Sequence, residues 1–172
     1  PRNSRVGYEP HHLTVSEFGN LRKFFPRAKF IPTSFVIEEI ASIKDDGEIQ
    51  AIREAVAASD NVFTRLLEFV KEGVRESDVA AEISYLHRKF GADADAFEPI
   101  VASGIRGALP HARATGKVIQ SGEMVTLDFG CRWKGYNSDL TRTVCVGRPS
   151  MEMKQIYEVV KVVCTLQMLD TR

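Results

Sequence analysis

Near residue 94 the apolar residues change their spacing, and that change limits the fold more than any other feature of the 172-residue chain. Between Asp45 and Phe90 they recur mostly at intervals of three and four. From Ala96 to Val146 they alternate, or run in short blocks bounded by Gly and Pro. A period near 3.6 turns one stripe of a helix toward a core, whereas a period of two turns one face of a strand there. Helices followed by strands predict an α+β fold, with helices packed on a curved antiparallel sheet.

The boundaries follow from local chemistry. Asp45-Asp46-Gly47-Glu48 precedes Ile49, Ile52, Val56, Val62, Phe63, Leu66, Leu67 and Val70. An acidic first turn suits the helix dipole, so a helix is expected over 46–71, stopped by Gly73. Glu76-Ser77-Asp78 opens a second helix over 76–90 through Val79, Ile83, Leu86 and Phe90, ended by Gly91. His87 lies in its middle and is expected at the surface or boundary. Residues 96–104 form a strand candidate. Residues 123–131 and 136–146 form a hairpin about Trp133-Lys134-Gly135, and a last helix runs from Ser150 to Leu169. Ile156, Val159, Val160, Val162, Val163, Leu166, Met168 and Leu169 are too many apolar residues for one buried stripe, which predicts self-association through that helix.

Residues 1–43 read differently. They hold four of the seven prolines and the pair His11-His12. We expect the tail of an N-terminal domain plus a linker here, with residues 44–172 forming a separate unit. Adjacent side chains diverge on most backbones, so His11 and His12 are expected as a solvated pair near a turn rather than as metal ligands.

Composition removes several function classes. With 23 basic and 23 acidic residues the net charge is zero, which gives no global field for nucleic acid or anionic lipid. No apolar run approaches the ~18 residues of a membrane helix, and no signal peptide is visible at Pro1–Pro10. The three cysteines, Cys131, Cys145 and Cys164, are widely spaced and form no CxxC, against a structural zinc or a disulfide framework. A cytoplasmic location is the default expectation.

Asp128 and Asp139 require explanation, because both sit inside β-patterned segments where Asp is disfavoured. If the turn is centred between Trp133 and Lys134, the two face each other across the hairpin. A shift of one residue makes them diagonal neighbours. Either way two carboxylates leave the same side, and like charges opposite one another destabilise a sheet. A divalent cation between them reverses the sign, since hard carboxylate oxygens ligate Mn²⁺, Co²⁺, Fe²⁺, Zn²⁺ or Mg²⁺. A solvated outer face remains the alternative, with Val125, Leu127 and Phe129 turned inward. His111 follows Pro110 in a loop before the hairpin and adds a titratable donor.

Several stretches resemble the pita-bread metallopeptidases: aminopeptidase P, Xaa-Pro dipeptidase (prolidase) and, more distantly, methionine aminopeptidase. They are Ile43-Lys44 with Glu48-Ile49 and Ile52-Arg53-Ala55; Glu72-Gly73 and Glu76; Phe97 to Gly104; Pro110-His111; Leu127-Asp128-Phe129-Gly130; Gly135 to Thr143; and Gly147 with Gln155-Ile156-Tyr157. The ending Thr141-Arg142-Thr143 favours the Xaa-Pro branch. The resemblance spans Ile43 to Val160 and implies the first half of a pita-bread catalytic domain. It implies two divalent metal ions, Mn²⁺ or Co²⁺ before Zn²⁺ or Fe²⁺. Asp128 would be the terminal ligand, Asp139 the bridging ligand, Thr141 a supporting hydroxyl and His111 a donor to the substrate or its tetrahedral intermediate. The implied substrate is a peptide with proline at its second position, hydrolysed at the N-terminal bond. The family adds one His and two Glu ligands downstream. No histidine follows His111, and after Asp139 the only acids are Glu152, Glu158 and Asp170. The chain alone is therefore expected to hold metal weakly and to hydrolyse little. The competing expectation is a non-catalytic binding module of the same fold. A protein-kinase DFG is rejected, because no HRD, Gly-rich loop or APE accompanies it.

Overall fold

The computed structural model describes residues 4–170, and side chains as far as Thr165. The chain divides into two compact units, Pro1–Asp45 and Asp46–Arg172. The first is more ordered than a connector. Strand β1 (Arg5–Tyr8) pairs in parallel with β2 (Lys29–Pro32), joined by helix α1 (Val15–Phe24) and followed by helix α2 (Val36–Ser42). A reciprocal capping box opens α1: the Glu17 amide donates to Thr14 Oγ1, and the Thr14 amide donates to the Glu17 carboxylate. Phe18 stacks on Tyr8 and meets Phe30 edge-on. His11 and His12 lie exposed at a turn.

The second unit carries helices α3 (Asp46–Phe69) and α4 (Glu76–Lys89), within two residues of the expected spans. The stripe of α3 has two halves. Val62 and Leu66 join Val79, Ile83 and Leu86 of α4 in the main core. Ala55 and Ala58 sit in a second cluster with Cys131 and Ala92. Small side chains there let α3 approach the sheet closely.

The strands are β3 (Ala94–Asp95), β4 (Ile100–Ser103), β5 (Met124–Phe129), β6 (Cys131–Trp133), β7 (Tyr136–Asn137) and β8 (Leu140–Cys145); helix α5 (Met151–Asp170) follows. A 3₁₀ turn at Gly104–Ala108 leaves β4. The sheet is antiparallel as expected, but it forms two three-stranded pieces, ordered β3-β6-β7 and β4-β5-β8. Val125, Leu127 and Phe129 are fully buried, which fixes the face of β5 that meets the helices. Burying each such side chain stabilises by ~1.5–3 kcal/mol.

The hairpin takes the second of the two expected registers, and it is interrupted, which was not expected. Its turn is centred between Lys134 and Gly135, with φ +50° and +87°, the double positive-φ turn that matches strand twist. Asp128 therefore pairs with Thr141, and Asp139 is its diagonal neighbour. The hairpin also breaks into two pieces where the strands crowd at Gly130. A Cβ there would lie 1.9 Å from the Ser138 carbonyl oxygen. The Cys131 amide turns to the Ser138 hydroxyl at 2.9 Å, and the Ser138 amide donates to the Cys131 carbonyl.

His87 is a correction. It is fully buried rather than at the surface, with Nδ1 2.6 Å from Asp95 Oδ1 and its ring against Phe129. Asp95 also accepts from Ser84. A single polar residue in a helical pattern cannot reveal a partner contributed by a later strand. Along α5, Ile156, Val159, Val160, Val162 and Val163 are all more than half exposed. Leu166, Met168 and Leu169 lie outside the described side chains.

Gly130→Ala should destabilise the protein by at least ~2 kcal/mol in chemical denaturation, because the added methyl meets backbone that cannot move aside. Gly116→Ala, with nothing within 4 Å, should change stability by less than ~1 kcal/mol.

Candidate metal and peptide site

The site is built on the middle strand of the β4-β5-β8 sheet. Alternation buries Leu127 and Phe129 and turns the Asp128 side chain to the opposite face. There it pairs across to Ile100 on one side and Thr141 on the other. Asp128, Asp139 and His111 line one cleft of about 400 Å³, together with Phe97, Glu98, Ile100 and Arg113. The structure thus brings all three sequence-derived residues to one place. Phe97 and Glu98 belong to a stretch that carries the family resemblance, but neither they nor Arg113 are expected from sequence as cleft residues, because nothing in their local pattern marks them so.

The Thr141 hydroxyl donates to Asp128 Oδ1 at 3.1 Å. It therefore supports Asp128, whereas strand alternation alone associates it with Asp139. The Asp128 carboxyl is held above the ordinary carboxylate range. Burial is the largest cause; the Thr141 hydrogen bond opposes it, the neighbouring Asp139 pushes upward again, and His111 pulls down. Two hard oxygen donors on one face fit a divalent cation, which offsets the burial of Asp128 and the repulsion between the two carboxylates. They are a partial set: among the described residues no group of three or more His, Cys, Asp or Glu is placed to hold a metal ion.

The loop carrying His111 is positioned from behind by Glu76, a fully buried carboxylate in the first turn of α4. Its Oε1 accepts from the Ser103 amide at 2.8 Å and the Ser103 hydroxyl at 2.9 Å. Its Oε2 accepts from Arg106 Nε at 3.1 Å, the Thr115 amide at 3.2 Å and the Thr115 hydroxyl at 2.8 Å. Arg106 also donates to the Arg113 carbonyl at 2.6 Å. Ser103 links this cluster to Lys117, which pairs with Glu123 at 2.7 Å. The sequence shows Glu76 as a helix-opening acid, but its partners lie 27 to 39 residues away and leave no local signal.

Comparison with known proteins places the chain in a family. Residues 50–166 match the model of metallopeptidase family M24. The chain is 42% identical over 156 residues to the uncharacterized peptidase YqhT of Bacillus subtilis (strain 168), covering 91% of this chain and 44% of that protein. A solved Xaa-Pro dipeptidase from Bacillus anthracis superposes with a TM-score of 0.86 at 44% identity, over 91% of this chain and 44% of that one. An X-Pro aminopeptidase from Thermotoga maritima MSB8 gives 0.87 at 35% identity, over 91% and 45%. The chain belongs to metallopeptidase family M24, and its α+β fold is the first half of the pita-bread architecture. It spans less than half the length of these relatives.

Burial raises the Glu76 carboxyl, but the hydrogen bonds from Ser103 and Thr115 outweigh it, and the net position is below the ordinary value. A group depressed in this way stabilises the fold fully above its unfolded pKa and loses that contribution as pH falls through its folded pKa. Glu76→Gln should cost ~3 kcal/mol at neutral pH, and the gap to wild type should narrow as pH falls below ~4. Urea denaturation of both proteins across that range measures it.

Proposed function

We propose that the protein is a metal-dependent exopeptidase of the Xaa-Pro type, a dipeptidase or aminopeptidase that hydrolyses the N-terminal bond of peptides with proline second. One observation supports this reading above others: two carboxylates on one face of a hairpin share a cleft with a histidine, in a chain of a metallopeptidase family. Asp128 and Asp139 would hold two divalent cations, Mn²⁺ or Co²⁺ foremost, with Zn²⁺ or Fe²⁺ as alternatives. Bound there, such cations supply a Lewis acid and lower the pKa of water. Thr141 fixes the rotamer of Asp128 by its hydrogen bond. His111 offers a donor where oxyanion charge develops. Phe97 and Ile100 give the cleft an apolar wall against which a substrate side chain can rest.

The remaining ligands would come from beyond the described residues, so the chain alone binds metal weakly and turns over little. Self-association through α5 would cover its exposed valines. We also infer a cytoplasmic setting, which three free thiols suit. No helix among the described residues is long and apolar enough to cross a membrane.

In the complete protein loaded with Mn²⁺ or Co²⁺, hydrolysis of an Xaa-Pro dipeptide should be measurable. Asp139→Asn should lower it more than ~100-fold and Thr141→Ala by ~10- to 100-fold. Undiminished hydrolysis by Asp139→Asn would refute the site.

A further inference from the structure

Met124 and Cys145 are direct partners across β5 and β8. Alternation puts Met124 on the same face of β5 as Asp128, four residues and roughly 13–14 Å away. The chain then turns after β8, and the first turn of α5 returns over this end of the sheet. Met153 there lines one groove of about 390 Å³ with Met124, Val144, Cys145, Pro149 and Tyr157. The Ser150 hydroxyl accepts from the Met153 amide at 3.1 Å and fixes that turn. Met124, Cys145 and Met153 are all half-buried. Cys145 carries a free thiol, with Sγ 3.9 Å from the Val146 carbonyl oxygen, a weak contact. The chain holds only three cysteines and four methionines. One of the former and two of the latter meet in this groove, so the cluster is not a by-product of a sulfur-rich sequence.

We propose that Met124, Cys145 and Met153 form a second metal site, for a soft monovalent cation of the copper(I) class, separate from the carboxylate pair. The spacing suits it. Side chains directly opposite in an antiparallel ladder have Cβ atoms ~4.5–5.5 Å apart. Two sulfurs each ~2.3 Å from one ion stand at most ~4.6 Å apart. The ladder therefore presents two ligands, and Met153, with three rotatable bonds, closes the third side. Ligand type separates the two sites: thiolate and thioether select copper(I), whereas carboxylates suit harder divalent ions. Charge points the same way. One thiolate and one monovalent cation make a neutral unit, which an apolar groove accepts without the cost of an isolated charge. The two charged residues lining the groove, Lys154 and Glu158, are opposite in sign and leave no local negative excess to draw a divalent ion. Binding releases the Cys145 proton to solvent and transfers no electron. An ion held there ties the first turn of α5 to β5 and β8.

The test uses the complete protein, reduced and free of oxygen. Copper(I) is titrated in competition with a chromogenic chelator. Silver(I), closed-shell and similarly soft, maps the contacts through methionine methyl and backbone amide signals. Silver(I) should shift the Met124 and Met153 methyls and the Cys145 amide, and Mn²⁺ should leave them unmoved. Cys145→Ser should weaken copper(I) binding at this site more than ~100-fold, beyond the cost of losing a merely supporting partner. Met124→Leu and Met153→Leu, which conserve volume, should each weaken it by at least ~10-fold. Cys164→Ser, at an exposed position of α5, should change nothing. Silver(I) shifts absent from the three residues or centred on Cys164, or copper(I) affinity that survives both Met→Leu changes, would overturn the proposal. The silver(I) map uses the unmodified protein, so it decides the matter even where a variant fails to fold.

Discussion

The buried carboxylate of Glu76 is the interaction on which the site depends. It accepts five hydrogen bonds from three residues that are distant in sequence, Ser103, Arg106 and Thr115. An isolated buried carboxylate is unfavourable, and here enough donors converge to hold it ionised. The consequence is geometric. The end of β4, the 3₁₀ turn after it and the loop after His111 are all tied to the N-terminus of α4, where the helix dipole also favours the negative charge. The ladder from Ser103 through Lys117 to Glu123 extends the same tie to the start of β5. Loops that carry functional groups are usually mobile. This one is anchored by charge-assisted hydrogen bonds on the side away from the cleft.

On the cleft side the determining feature is crowding in the hairpin. At Gly130 the partner strand comes so close that no side chain fits. The ladder divides there, and the Ser138 hydroxyl takes over a backbone amide that the partner strand would otherwise satisfy. Asp139 emerges directly after this break and Asp128 lies just before it on the facing strand. The diagonal relation separates two like charges that a directly opposed pair would force together. It still leaves them near enough for Asp139 to raise the Asp128 carboxyl. Two carboxylates so placed on one face are the donor type that a hard divalent cation takes.

Much of this was legible from residue patterns. The 3.6 period marked α3 and α4, each with acids in its first turn, although on α3 Ile49, Val56 and Leu67 stay exposed while Ala51, Ala55 and Ala58 are buried beside Val62 and Leu66. The alternation of β5 placed Asp128 on the face opposite Leu127 and Phe129. Three things were hidden for physical reasons. The hairpin register depended on whether Lys134 would accept a positive φ, which composition leaves open. The burial of His87 depended on Asp95, whose strand pairs with β6 and not with the helix. The parallel β1-β2 pair was missed because four-residue strands carry too little alternation to stand out. Glu76 illustrates the general case: its identity was visible, its helix position was visible, and its role was set by partners that only the tertiary fold assembles.

The central claim is that Asp128 and Asp139 are the carboxylates that hold metal, beside His111. Paramagnetic broadening of assigned backbone and histidine resonances during Mn²⁺ titration tests it most directly, and it requires no turnover. The account predicts that broadening begins at Asp128, Asp139, Thr141 and His111, and that Asp139→Asn removes it there. Broadening centred on His11 and His12, or on Glu123 and its neighbours, with the 128–141 hairpin unaffected, would contradict the account.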